Sequence, residues 1–311
     1  MSLGLGILDR PTSLKNHEKA MPYLGGLALL LSILLPVLSL ALAKDLLNQK
    51  ILGILIGSFV LSGLGLFDDI KNLSPYTKFL GQGIGAFILI LSGVHLEIIY
   101  LPSWLNLLLT LFWVLGITNA FNIIDVMDGL SAGVALIASA AFLFIAIPTQ
   151  DLLVALLSSA IVGGTLGFLR YNFYPARIFM GDSGSLFLGY LLASLSIAES
   201  YTAQNDIALL SPLLILAIPI YDTFYVSLLR ILKGKNPFRG SRDHFALRLR
   251  ASGMKDQQVV LMIYLISIAL CEASYIATTV NRYGALFIYL LIISLFIIVG
   301  LNLSRIRVDR I

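Results

Sequence analysis

The chain has 311 residues, of which 58% are hydrophobic and only 12% are charged, and its mean hydropathy is +0.93. Soluble domains carry roughly 25% charged residues, so this composition excludes an ordinary soluble protein and indicates that lipid surrounds most of the chain. The one cysteine, Cys271, lies in an apolar stretch, which excludes a disulfide framework. The net charge of +4 does not indicate a nucleic-acid partner, because basic residues in a membrane protein first report its topology.

Apolar segments recur along the chain at lengths that suit the ~30 Å hydrocarbon core of a bilayer. We predict an all-α integral membrane bundle of about ten spanning helices, forming a single domain over residues 1–311. The first segment is too long for a secretory signal. The predicted segments are 23–43, 51–67, 79–93, 105–123, 131–148, 152–168, 185–198, 207–230, 257–280 and 285–303.

The distribution of basic residues predicts the orientation. With the N-terminus in the cytoplasm, all of the 21 Lys and Arg residues except Lys44, Lys50 and Arg282 lie inside. Nearly all the unusual polar residues then share that side, so we expect an active site on the cytoplasmic face of an inner membrane. On the external side, the β-branched and aromatic stretch 94–102 predicts a small β-hairpin.

Two adjacent acids, Asp68 and Asp69, end the second predicted helix in the sequence GLFDDIK. The C-terminal end of a helix is negative and disfavours a carboxylate by up to about 1 kcal/mol. The pair is either solvated and offset by Lys71, or a base or metal site. Because neighbours on a helix point about 100° apart, we expect the two acids to have different roles.

Polar residues recur every three positions at the inner end of the fourth segment, at Asn119, Asn122, Asp125 and Asp128. The whole set cannot stay on one face of a straight helix, although adjacent members are neighbours. We therefore expect the helix to unwind near Gly129 and to present these groups to one groove. A polar helix end that only turns the chain is the alternative.

Three further features have both a structural and a functional interpretation. Asp182, in RIFMGDSGS, is either a helix N-cap or the partner of a phosphate-bound Mg²⁺ at a helix end with free amides. Asp222, inside the eighth segment, is either a functional group or a hydrogen-bond partner of a neighbouring helix. The basic loop 230–255, which contains His244, is either a positive-inside loop or a cradle for an anionic substrate.

Six motifs occur in the order YLGG, FDDIK, NAFNIIDVMDG, RYNFYPARIFMGDSGS, IPIYD and SRDH. Together they resemble the polyprenyl-phosphate N-acetylhexosamine-1-phosphate transferases, the superfamily that includes MraY and WecA. The resemblance extends from about residue 8 to residue 250. It implies transfer of a sugar 1-phosphate from a UDP-N-acetylhexosamine to polyprenyl phosphate, with release of UMP and a requirement for Mg²⁺, with Mn²⁺ as the alternative metal.

The family pattern also implies residue roles. Asp182 is the expected Mg²⁺ ligand, and His244 is expected to face the phosphates. Asp68 is expected to deprotonate or orient the polyprenyl phosphate, with Asp69 supporting it or the metal. Phe179 is expected to stack on uracil, and the full set of expected substrate-binding residues is Lys19, Asn119, Asn122, Asp125, Asp128, Asn172, Phe179 and Arg242.

The sequence departs from the family pattern in two places. Members usually have one more spanning helix before the LDRP segment, and many carry a histidine-rich run where this chain reads HFAL and keeps only His244. The missing histidines favour the branch that resembles WecA and TagO, with UDP-N-acetylglucosamine as donor and undecaprenyl phosphate as a bacterial acceptor. The product would prime O-antigen, teichoic acid or a similar envelope polymer, and a homodimer is left open.

Three alternative functions are left open. A UDP-MurNAc-pentapeptide phosphotransferase would share the fold and the acceptor. A secondary transporter would also have interrupted helices and buried acids, but the candidate acids here gather at helix ends rather than at mid-depth. An aspartate-rich membrane prenyltransferase would need a second aspartate-rich motif, which the sequence lacks.

Overall fold

The computed structural model describes residues 8–9, 21–22, 24–198, 206–236, 241, 243–306 and 308. Two short strands, β1 (Leu8–Asp9) and β2 (Met21–Pro22), pair antiparallel ahead of the first described helix. The α-helices that follow are α1 (Gly25–Ala43), α2 (Gln49–Lys71), α3 (Pro75–Leu91), α4 (Ser103–Ile124), α5 (Leu130–Thr149), α6 (Leu152–Asn172), α7 (Gly181–Ala198), α8 (Ser211–Ile215), α9 (Ala217–Leu232), α10 (Phe245–Ala251), α11 (Asp256–Thr279) and α12 (Arg282–Ser304).

The helices follow the predicted order of apolar segments. Within the described residues, seven helices are long and apolar enough to cross a membrane, namely α1, α2, α4, α5, α6, α11 and α12, and the bent pair α8–α9 forms an eighth candidate. The third and seventh predicted segments are also helices, although α3 has only 17 residues and α7 opens on polar residues. The all-α polytopic membrane fold is therefore confirmed.

Helix α7 lies at the centre of the bundle. Every residue from Ser183 to Ser196 is buried, and α1, α2, α4 and α5 pack around it. Two neighbours approach so closely that only glycine fits: a Cβ on Gly65 of α2 would collide with the backbone of Asp182, and a Cβ on Gly26 of α1 with the backbone of Gly184. The ends of several helices are thereby held against the beginning of α7.

The eighth predicted segment is broken rather than continuous. The stretch Ala208–Ile215, which ends with α8, meets α9 at Leu216 with a bend of 70°. Pro219, in the first turn of α9, has no N–H to donate to a carbonyl of the preceding turn, and proline inside a helix is a common cause of a sharp kink. The apolar pattern alone did not reveal this break.

The external hairpin predicted over 94–102 is wrong. The structure has no strand in this stretch, because side chains of α4 hydrogen-bond its backbone in place of a partner strand. The N–H of Leu96 donates to Thr110 Oγ1 at 2.9 Å, and Asn106 bonds both the N–H and the carbonyl of Ile98 at 3.3 and 3.2 Å.

Gly65→Ala should destabilise the protein, whereas Gly63→Ala should not. Both glycines lie inside α2 and gain about 0.5–1 kcal/mol of helix propensity as alanine. A Cβ on Gly63 meets open space, but one on Gly65 overpacks the contact with α7, which typically costs about 1–3 kcal/mol. Thermal unfolding in detergent should show a lower midpoint for Gly65→Ala alone, and equal midpoints would contradict the close contact.

Candidate active site

The beginning of α7 is capped by a carboxylate from another helix. Asp69, near the end of α2, accepts hydrogen bonds from the backbone N–H of Asp182 at 2.8 Å and from that of Ser183 at 3.2 Å. The sequence suggested that Asp182 is an N-cap or that free amides here hold phosphate. Instead Asp182 is the second residue of α7, and two backbone N–H groups in the first turn of that helix donate to Asp69.

The Asp182 carboxylate is held from two sides. Its Oδ1 accepts from Asn122 Nδ2 of α4 at 2.8 Å, and its Oδ2 accepts from Lys78 Nζ of α3 at 2.7 Å. Asn122 Nδ2 also lies 3.0 Å from Ser185 Oγ, one turn further along α7. Asp182 keeps 31% side-chain exposure, so its carboxylate remains open to a ligand.

Asp68 differs from its neighbour in environment, as expected from their directions on the helix. It is only 3% exposed, its Oδ1 accepts from the N–H of Leu73 at 2.6 Å, and its Oδ2 forms an ion pair with Lys78. The Lys78 ammonium therefore bridges Asp68 and Asp182. The catalytic roles assigned to Asp68 and Asp69 stay predictions.

The polar groups of α4 and of the turn that follows it bind different partners. The helix ends at Ile124, before the expected unwinding point at Gly129. Asn119 exchanges two hydrogen bonds with the buried Gln82 of α3, at 2.5 and 3.2 Å, whereas Asp128 accepts from the N–H of Ala176 at 2.9 Å. Asn119 thus joins α3 to α4, and Asp128 holds the segment after α6.

Asp125 lies in the turn after α4, half-buried beside the α7 cluster. Burial raises the pKa of Asp125 to about 8, and the charges of Asp182, Asp69 and Asp128 add to this effect. Within the described part of the chain, no hydrogen-bond donor reaches its carboxylate. This position would therefore favour either a proton or a cation.

Two further predicted residues, Asn172 and Phe179, lie at the end of α6 and just before α7. Asn172 Oδ1 accepts from the N–H of Gly129 at 3.1 Å, while its Nδ2 donates to the carbonyl of Ile178 at 2.9 Å. The Phe179 carbonyl accepts from the N–H of Gly25 at 3.2 Å, and its ring is half-buried. Asn172 thus fixes two turns to each other, and stacking of Phe179 on uracil stays a prediction.

His244 forms a second polar pair, with Asp222 of α9. Its Nδ1 lies 2.8 Å from Asp222 Oδ2, and the N–H of Phe245 donates to Asp222 Oδ1 at 2.6 Å. Asp222 thereby caps α10 and orients the ring, and Nε2 has no hydrogen-bond partner among the described residues. The predicted residues Lys19 and Arg242 lie outside the described residues.

Lys78 and Gln82 are not among the residues predicted from the sequence. The third predicted segment begins at residue 79, just after Lys78, whereas α3 begins at Pro75, with the Ser74 side chain accepting from the N–H of Thr77. A serine followed by proline is a recognisable helix start. That signal would have placed Lys78 one turn into the helix and Gln82 on the same face.

The carboxylates at the start of α7 fit a divalent cation. No three potential ligand side chains of the described residues are close enough to hold a metal ion alone. Mg²⁺ does not require them, because it usually keeps several waters and takes one or two carboxylates together with substrate phosphates. Two carboxylates, those of Asp68 and Asp182, already bind a positive group, the Lys78 ammonium. Asp125 and Asp182 are the residues that would hold the metal.

The chain is similar to known proteins over most of its length. The model of glycosyl transferase family 4 matches residues 51–200, which run from the first turn of α2 to just beyond the end of α7. A probable undecaprenyl-phosphate N-acetylglucosaminyl 1-phosphate transferase of Bacillus subtilis is 34% identical over 301 residues, covering 94% of this chain and 83% of that protein. The chain belongs to glycosyl transferase family 4.

Two further relatives match the chain at similar identity but with lower coverage of it. The decaprenyl-phosphate N-acetylglucosaminephosphotransferase of Mycobacterium tuberculosis is 33% identical, covering 84% of this chain and 73% of that protein. A phospho-N-acetylmuramoyl-pentapeptide-transferase of Halalkalibacterium halodurans is also 33% identical, covering 82% and 83% of the two chains. These names place the family within the MraY/WecA superfamily and, together with the long apolar helices, show that the protein is a multi-pass membrane transferase.

Asp125 should make the stability of the metal-free protein depend on pH. The folded state keeps a proton on this carboxyl up to a pKa of about 8, whereas the unfolded chain releases it near the ordinary value of 3.8. Its contribution is therefore full at low pH and is lost as the pH rises from about 4 towards about 8.

Thermal unfolding with EDTA, followed between about pH 5.5 and pH 8.5, should show a midpoint that falls with pH in the wild type. Asp125→Asn should flatten this dependence, because the amide cannot ionise. Parallel slopes for the two proteins would contradict the assignment.

Proposed function

We propose that the protein transfers N-acetylglucosamine 1-phosphate from UDP-N-acetylglucosamine to a polyprenyl phosphate and releases UMP. The observation that carries the proposal is the bridge formed by Lys78 between Asp68 and Asp182. Asn122 donates a hydrogen bond to the carboxylate of Asp182 as well. The bridge lies at the ends of apolar helices, where a water-soluble anion and a lipid-borne phosphate could meet. The names of the relatives supply the substrate classes.

The proposed reaction replaces one phosphoanhydride with another. An oxygen of the polyprenyl phosphate attacks the phosphorus that carries the sugar, the bond from that phosphorus to the UMP oxygen breaks, and UMP leaves with the electron pair. No anhydride is lost, so no ATP is needed. Catalysis then consists mainly of positioning two anions and offsetting their charge.

Charge compensation is the main requirement placed on the protein. Both substrates are anionic, and four nearby carboxylates, those of Asp68, Asp69, Asp125 and Asp182, would repel them unless cations intervene. Lys78 supplies one positive charge at the centre of the cluster. Bound Mg²⁺, held by Asp182 and Asp125, would offset the charge of the pyrophosphate and of the departing UMP.

Asp68 suits orientation better than proton removal. A phosphate monoester loses its second proton with a pKa near ~6, so much of the acceptor is already a dianion at neutral pH. The Asp68 carboxylate is occupied by the N–H of Leu73 and by Lys78. We therefore propose that Asp68 aims the Lys78 ammonium at the lipid phosphate, and that Asp69 holds Asp182 in place.

His244 would contribute a directed hydrogen bond to a phosphate oxygen. Asp222 fixes the ring through Nδ1, which leaves Nε2 for a ligand. An aspartate that orients a histidine in this way is common where the second ring nitrogen has a chemical task.

The cytoplasmic face of a bacterial plasma membrane is the proposed location of the site. The C-terminal ends of α2, α4 and α6 and the beginnings of α3, α7 and α10 carry the site residues other than Asp222, and they adjoin the predicted positive-inside segments. This side would give direct access to a nucleotide sugar. The acceptor would enter from the bilayer.

Two sugar donors are candidates. UDP-MurNAc-pentapeptide is the second candidate, because one relative is named a phospho-N-acetylmuramoyl-pentapeptide-transferase. The sequence HFAL, with a single histidine, favours N-acetylglucosamine.

The deciding experiment is release of UMP by the detergent-purified protein given UDP-N-acetylglucosamine, undecaprenyl phosphate and Mg²⁺, with each omitted in turn. Release that requires all three supports the proposal, and Mn²⁺ is tested in place of Mg²⁺. Release only with UDP-MurNAc-pentapeptide would change the donor. Failure with every UDP-hexosamine would refute the proposed reaction.

Asp182→Ala should lower UMP release by at least about 10²-fold, because it removes a group aimed at the reacting charge. The matched control is Asp151→Ala, in which an aspartate is lost that caps α6 through the N–H of Val154, away from this cluster. Both variants should purify folded, and the control should keep its activity. Normal turnover by Asp182→Ala would return Asp182 to a structural role.

A further inference from the structure

Arg248 of α10 is a buried cation outside the carboxylate cluster. Its side chain is 2% exposed, although arginine is seldom fully buried unless it is paired. A guanidinium has five N–H donors in a rigid fork, and each donor left without an acceptor in an apolar interior costs free energy. The acceptors of Arg248 therefore indicate what it does.

One side of the guanidinium binds the end of the last helix. Nη1 donates to the carbonyls of Leu303 at 2.9 Å and Ile306 at 2.6 Å, and lies 3.4 Å from that of Ser304. The last carbonyls of a helix have no partner within it and form its negative end, so a cation there is favourable. Arg248 thus closes the C-terminal end of α12.

The other side binds the residue before His244. Nη2 donates to Asp243 Oδ1 at 2.6 Å, and Nε to the Asp243 carbonyl at 3.3 Å. Lys233 Nζ also contacts Oδ1 at 2.7 Å, and Ser241 Oγ contacts Oδ2 at 3.1 Å. Burial alone would raise the pKa of Asp243, but these hydrogen bonds and the charges of Lys233 and Arg248 lower it below its ordinary value.

His244 is therefore fixed through both of its neighbours. Asp243, before it, is tied to the end of α12 through Arg248, and Phe245, after it, is tied to Asp222 of α9. Helices α9 and α12 are themselves joined nearby, because Tyr225 OH donates to the carbonyl of Gly300 at 3.2 Å.

We propose that Arg248 is a positioning residue for His244, acting by clamping Asp243 to the C-terminal end of α12. The proposal rests on the function proposed above. Helix α12 supplies none of the described polar contacts at the start of α7, yet through this clamp it would set the place of the imidazole. A lysine could not replace Arg248, because a single ammonium cannot reach acceptors on both sides of a planar fork.

The test is a double-mutant cycle on the rate of UMP release. Arg248→Met should lower kcat about tenfold to a hundredfold, the scale expected when a group near the reacting atoms is misplaced. In a His244→Gln background, the same substitution should cost less than about threefold, because residues that act through each other are not additive. Equal losses in both backgrounds would overturn the proposal.

The matched control is Arg250→Met, in the same short helix two residues further on. Arg250 is 28% exposed, and its Nε pairs with Asp256 at 3.0 Å rather than with the His244 loop. We expect its kcat to stay within about twofold of wild type. Arg248→Lys should behave like Arg248→Met, and full activity of the lysine variant would contradict the need for a fork.

A second readout does not depend on turnover. The chain has three histidines, so the imidazole ¹⁵N signals of His244 can be assigned from their loss in His244→Gln. Arg248→Met should shift or broaden those signals, and Arg250→Met should not. If Arg248→Met does not fold, Asp243→Asn weakens the same clamp with nearly the same shape and should give the same change.

The two readouts separate this proposal from the proposed function. If the wild type releases no UMP with any donor but the His244 signals respond to Arg248→Met, the reaction is wrong and the clamp stands. If the signals and the activity are both unchanged in Arg248→Met and Asp243→Asn, the clamp is wrong whatever the reaction.

Discussion

The carboxylate of Asp69 on the first amides of α7 is the contact on which the rest of the site depends. Helix α7 is buried along almost its whole length, so its unpaired N–H groups would be costly without an acceptor. Asp69 supplies that acceptor from α2, and Gly65, one turn earlier, lets the two backbones meet. The contact fixes the position of Asp182, and therefore the position at which the side chains of Lys78 and Asn122 bind its carboxylate.

The same arrangement occurs twice in the protein. Asp69 caps α7 from α2, and Asp222 caps α10 from α9. In each case a candidate functional residue lies at the capped end, Asp182 in the first and His244 in the second. A cap from within its own loop would move with that loop, whereas a cap from a neighbouring helix holds the loop to the bundle. Rigid placement of both residues follows from this difference.

Apolar periodicity and charge were enough to predict the order of the helices, because burial in lipid requires long uncharged segments. Neighbouring directions on a helix also separated the environments of Asp68 and Asp69. Contacts between distant segments could not be predicted: that Lys78 bridges Asp68 and Asp182 depends on how α3 packs against α2 and α7. The 94–102 stretch was mispredicted because β propensity counts for little where side chains of a nearby helix satisfy the backbone.

The acids of the cluster end their helices rather than interrupt them. Asp68 and Asp69 lie in the last turn of α2, Asp125 follows α4, and Asp182 is second in α7. A charge at the centre of a membrane segment opposes insertion by about 2.5–3.5 kcal/mol. Near its ends the side chain can stay with the lipid headgroups and water. Helices α2 and α4 can therefore enter the bilayer with almost purely apolar interiors during synthesis, and their carboxylates meet that of α7 only when the inserted helices assemble.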